Sequence, residues 1–109
     1  HETMLGRGLS DGELAVLAGL LETRRLARGD LVFRRGEPGD AMYVAVQGRI
    51  GIWLRGLGAD RPDRRLVSFA PGVVFGEMAM LSGEPRSADG VAEEDAALLV
   101  LHRAAFDRL

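Results

Sequence analysis

Hydrophobic and polar positions follow two different rhythms along the chain. Near the front, Leu14, Leu17, Ala18 and Leu21 recur at the spacing of one helical face. Ser10-Asp11-Gly12-Glu13 has the form of a capping box, in which a hydroxyl and a carboxylate satisfy the first free N–H groups of a helix. Together these signals predict a helix over about 10–24. The rhythm then changes to short apolar runs broken by Gly, Pro and Asp. Such runs lie at 31–33, 42–46, 50–54, 66–69 and 96–101, with a weak one at 91–92. Strands at this spacing, with turn residues between them, predict a mainly β fold with flanking helices. The expected form is a jelly-roll barrel or sandwich of about eight strands. The polar stretch 56–64 reads as a surface hairpin loop, and a closing helix begins at Arg103.

Composition narrows the class. The chain has 109 residues and is 47% apolar, enough for one domain with a real core and too apolar for a disordered segment. The longest apolar runs fall well short of the roughly 20 residues of a membrane-spanning helix. The absence of cysteine excludes a disulfide scaffold and a thiolate metal site. The net charge of -2, with both signs interspersed, gives no basic patch of the kind that binds nucleic acid. A local pocket can still hold a small anion. His1 is not a start residue, and no basic-then-apolar leader opens the chain. The expectation is a flexible segment over 1–9, partly tag-derived, and one domain over 10–109 cut from a larger protein.

The stretch Phe75-Gly76-Glu77-Met78-Ala79-Met80-Leu81 interrupts the strand rhythm. Gly76 permits close backbone approach. Glu77, Met78 and Ala79 begin a short helix whose free N–H groups suit an anion. Ser82-Gly83-Glu84-Pro85 turns the chain into Arg86 and Ser87. A ribose cyclic phosphate needs a planar two-pronged cation, backbone N–H groups and a strong acceptor for its 2′-hydroxyl. Arg86, the start of the short helix and Glu77 supply one of each.

This run, followed by Pro85-Arg86-Ser87-Ala88, resembles the phosphate-binding cassette of the cyclic-nucleotide-binding domain family. The run from Gly36-Glu37-Pro38-Gly39-Asp40 to Gly48 resembles that family's other signature, a tight turn entering a core strand, with Ala45 smaller than the usual bulky residue. The resemblance covers nearly the whole chain. It implies a site formed by Phe75, Gly76, Glu77, Met78, Ala79, Arg86, Ser87 and Ala88, with cAMP or cGMP as ligand and no cofactor. It implies that Glu77 accepts the ribose 2′-hydroxyl and Arg86 pairs with the phosphate. Ser87 and the N–H groups near Ala79 complete the phosphate shell, and Val67 faces the base. Met78, Met80 and Leu81 are expected to place their side chains in the core.

Two positions depart from the family's pattern. Asp89 stands where a small hydroxyl residue is common, and Gly90 where a β-branched one is common. They motivate an alternative: a domain of the same fold without nucleotide, serving as an interaction or dimerisation module. A metal-dependent jelly-roll enzyme is disfavoured, because only His1 and His102 are present. Trp53 reads as half-buried on a strand, His102 as structural at a strand end, and Asp60 and Asp63 as a solvated loop. No catalytic residue and no metal ligand is expected. The implied partners are the nucleotide and a fused effector, with a homodimer allowed and no nucleic acid or membrane insertion. The implied place is the cytoplasm, alone or as the cytoplasmic part of a membrane protein.

Overall fold

The segment after the first helix decides how the fold begins. In the computed structural model, which describes residues 11–56 and 60–108, helix α1 (Asp11–Leu20) stops short of the expected position 24. Residues 22–26 instead form strand β1 (Glu22–Leu26), antiparallel to β8 (Ala96–His102), with Glu22 opposite Val100 and Leu26 opposite Ala96. Sheet pairing overrides the helical propensity of Arg24 and Arg25, because β1 covers an edge of β8 that would otherwise carry unpaired N–H and C=O groups. The capping residue Ser10, the segment 1–9, and the side chains of Glu13, Leu14 and Leu17 lie outside the described residues.

The remaining strands are β2 (Leu31–Phe33), β3 (Ala41–Gln47), β4 (Ile50–Leu54), β5 (Arg64–Phe69), β6 (Val74–Phe75) and β7 (Asp89–Ala92). They form two four-stranded antiparallel sheets in the orders β1-β8-β3-β6 and β2-β7-β4-β5. Apart from the β4–β5 hairpin, sheet neighbours are not consecutive in sequence, as the jelly-roll expectation requires. Two strands had no legible pattern. β1 reads as the end of a helix, and the two-residue β6 is too short to alternate. β7 is longer than its weak apolar signal and lies between β2 and β4. β5 begins at Arg64, inside the expected loop, because an edge strand tolerates charge.

The inner faces of the two sheets make the core. Along β3, Ala41, Tyr43 and Ala45 are buried, while Met42 and Val44 between them are only partly covered. Ile50, Leu98 and Val100 are fully buried. Phe33, Tyr43, Phe75 and Phe69 form a chain of rings, with centroids 5.8, 5.3 and 5.0 Å apart. Ala45 lies at an irregularity of β3, where its N–H donates to Val73 O at 3.0 Å and its carbonyl accepts from Gly72 N at 2.7 Å. The turn before β6 is thereby tied to the core strand.

Trp53 is half-buried, and its Nε1 donates to Glu93 Oε2 at 2.9 Å. The β4–β5 hairpin is closed by Asp63, which accepts Gly56 N at 2.9 Å and Arg55 Nη1 at 3.3 Å. The Gly56 backbone bond, then Arg55, holds the Asp63 carboxyl below the ordinary value of 3.8. Among the described residues, no helix is long and apolar enough to cross a membrane.

Leu98→Ala, on the central strand β8, should cost about 2–5 kcal/mol and lower the melting temperature by roughly 10–25 °C. Val16→Ala, at a residue 62% exposed, should change stability by no more than about 0.5 kcal/mol. Thermal melts of both variants check this contrast. The Asp63 tie is complete above pH 3.8 and is lost as the pH falls through the lower folded value. A carboxyl carbon titration by NMR should place Asp63 below 3.8, and Arg55→Ala should move it upward.

Candidate functional site

Both sequence signatures meet at Arg86. Gly36 N donates to Arg86 O and Arg86 N donates to Glu37 O, each at 2.8 Å, while Pro38 bridges to Pro85. The turn before β3 therefore brackets the backbone of Arg86 on both sides. Gly39 of the same turn is buried against the short helix α2 (Glu77–Ser82); a Cβ there would lie 2.4 Å from the Cβ of Ala79 and 2.7 Å from its carbonyl carbon. Only glycine lets the turn approach the helix this closely.

Helix α2 starts after Gly76, whose φ of 80° is the left-handed conformation that glycine adopts without strain. That bend turns the Gly76 carbonyl back toward Arg86, whose Nη1 donates to it at 2.8 Å. Arg86 Nη2 donates to Ala41 O at 2.6 Å. The side chain is thus drawn inward, and Arg86 is only 4% exposed. Its guanidinium lies 4.4 Å from the centroid of the Phe33 ring and 5.5 Å from that of Tyr43. Its Nε is buried without a hydrogen-bond acceptor, and no carboxylate pairs with it among the described residues. A guanidinium has five N–H donors, so the two carbonyl bonds leave capacity for an anion.

Around this cation, Phe75 and Ala88 are buried, Gly76, Glu77 and Ala79 are half-buried, and Ser87 is exposed. Val67 on β5 stands opposite Ile52, which packs on the core, yet is 42% exposed. It is an apolar residue left open on β5, whose residues 64–67 are all exposed. The expectation of three core side chains on α2 holds for Met80 alone, which is fully buried. Met78 and Leu81 are 75% and 55% exposed. The physical reason is helical geometry: residues three apart share a face, so Met78 and Leu81 stand together opposite the face that carries Met80.

The two unusual positions have work in the fold. Asp89 Oδ1 accepts Arg35 N at 2.7 Å and Oδ2 accepts Arg55 Nε at 3.1 Å. Its charge is engaged by the β2–β3 turn and the β4–β5 hairpin. Gly90 is paired with Phe33, and a Cβ there would meet three atoms of that ring at 2.9, 3.0 and 3.1 Å.

Sequence reasoning missed Phe33, Tyr43 and Arg103. Helix α3 (Arg103–Phe106) begins with Arg103, whose N donates to Asp40 O at 2.6 Å. Arg103 Nη1 donates to Met80 O at the end of α2, and its Nε donates to Asp107 at 3.0 Å. No motif marks such contacts, since they join residues distant in sequence. His102 ends β8 and lies 3.5 Å from Glu22, a structural position at a strand end.

The eight-stranded β roll, its glycine-initiated helix and the buried arginine beside it define the class by fold and site, and the family matched is specific. Residues 23–109 match the cyclic nucleotide-binding domain family, and the chain belongs to it. It is 38% identical over 93% of its length to a cyclic nucleotide-gated potassium channel of Mesorhizobium japonicum. It is 34% identical over 91% of its length to a cyclic AMP receptor protein of Thermus thermophilus. It spans only 26% and 45% of those two relatives. Among solved structures, the N-terminal domain of a transcriptional regulator from Streptomyces coelicolor superposes with a TM-score of 0.81 at 31% identity, covering 93% of this chain and 69% of that one.

Gly39→Ala should force the turn and α2 apart. The expected cost is about 1–3 kcal/mol, the usual range for overpacking. Denaturant unfolding measures it, and amide exchange should show the loosening concentrated in α2.

Proposed function

We propose that the chain is a regulatory domain that binds cAMP or cGMP at the Arg86 site and signals its occupancy to a fused effector. The observation that carries this reading is the buried Arg86 guanidinium, which lacks a carboxylate partner among the described residues and keeps free donors. A compact monoanion is the natural complement of such a cation. In this reading Arg86 pairs with the cyclic phosphate, and Ser87 and the N–H groups near Ala79 hold its exocyclic oxygens. Glu77 accepts the ribose 2′-hydroxyl, and the base covers the exposed face of Val67. The names of the channel and the receptor protein support the ligand class.

Asp89 is compatible with this reading, because one oxygen pairs with the Arg55 guanidinium and the other accepts the Arg35 backbone N–H. Signalling follows from population shift: the nucleotide must bind two arrangements of the flanking helices with different affinity. Arg103 is the contact through which the cassette helix and α3 would move together. No catalytic role is assigned to any residue.

Arg86→Ala should weaken nucleotide binding by about 2–5 kcal/mol, the range for truncating a buried charge pair. Calorimetric titration of the wild type and the variant with both nucleotides is the test. Equal affinity in the two proteins would remove Arg86 from the site, and no heat or thermal shift at millimolar nucleotide with the wild type would overturn the reading.

A further inference from the structure

We infer that Phe33 is the positioning residue for Arg86, and that the glycine at position 90 is what allows it to be. The inference rests on the nucleotide-binding reading for its functional consequence, but its geometry stands alone. Phe33 is 7% exposed on β2, and the Arg86 guanidinium lies nearer its ring than that of Tyr43, at 4.4 Å against 5.5 Å. The two carbonyl bonds, to Gly76 and Ala41, pin only the far nitrogens of the guanidinium. At the near end, Nε has no acceptor, so nothing hydrogen-bonded fixes the tilt of the plane there. The Phe33 ring supplies that restraint, because a cation is attracted to an aromatic face and a planar one lies against it.

The ring can occupy this place only because position 90 has no side chain. Phe33 and Gly90 are register partners, and a Cβ on Gly90 would press into the far edge of the ring at 2.9–3.1 Å. Such distances are too short for carbon atoms, so a larger residue displaces the ring and with it the surface on which Arg86 rests. The arrangement also has an electrostatic advantage. A carboxylate partner would neutralise Arg86 and compete with an incoming anion. An aromatic face attracts the cation while leaving its net charge available.

The test uses wild type, Phe33→Leu and Gly90→Ala. In proton–nitrogen NMR of the ligand-free proteins, the Arg86 Nε–H signal of the wild type should be displaced by the ring current and protected from exchange. Phe33→Leu should return it toward the position of a solvated arginine, and Gly90→Ala should move it part of the way. Titration with cAMP and cGMP should show Phe33→Leu binding about threefold to thirtyfold more weakly, the span of a cation–π contact. Gly90→Ala, which keeps the ring, should weaken binding less, and melting curves establish that both variants are folded. An unchanged Arg86 signal in folded Phe33→Leu overturns the inference, as does unchanged affinity, while the nucleotide reading survives either result. If the wild type binds neither nucleotide, the functional reading falls, and the Arg86 signal decides the positioning role by itself.

Discussion

Removing a guanidinium from water costs several kcal/mol unless its charge and its donors are compensated, and the cassette end of this molecule is organised around meeting that cost at Arg86. Compensation comes from two backbone carbonyls and two aromatic faces. The contributors are placed by three elements of the chain. The Gly76 carbonyl depends on the left-handed bend before α2, the Ala41 carbonyl on the start of β3, and the rings on β2 and β3. The cation therefore holds the cassette against β2 and β3, which lie far from it in sequence, and any loss of order among them leaves it partly unsatisfied.

The same dependence explains the tight glycine turn before β3. Its backbone pairs with both sides of Arg86, and Gly39 lets it lie directly on Ala79. The turn fixes the arginine's backbone, the helix fixes one of its acceptors, and Gly39 fixes the distance between turn and helix. The engagement of Asp89 with Arg35 and Arg55 extends this frame to the β4–β5 hairpin, so the strand leaving the cassette is tied to two loops on the sheet that contains Val67.

Much of this was legible in the sequence, and what was not has a physical reason. The short apolar runs of β3 and β8, the glycine breaks and the paired signatures are all local signals, and they point to the roll and to Arg86. The Glu22–Leu26 strand was not legible, because its pairing partner lies seventy or more positions away and its residues favour a helix in isolation. Met78 and Leu81 were misplaced because apolar character alone does not say which face of a single-turn-scale helix is covered. Gly90 looked like a flaw when viewed along its strand; across the sheet it is the seat of Phe33. Contacts of this kind are properties of the packed state and leave no trace in spacing.

Arg103 has one further consequence. As the first residue of α3, it is attached by its backbone to the glycine turn and by its side chain to the end of α2. Both bonds act at the first residue of α3, so the joint is a pivot between the cassette helix and α3. A shift of α2 by a fraction of an ångström at its last turn must either stretch that pivot or swing α3 about its first residue. Because α3 is held at its origin, a small displacement there becomes a larger one at whatever lies farther along its axis.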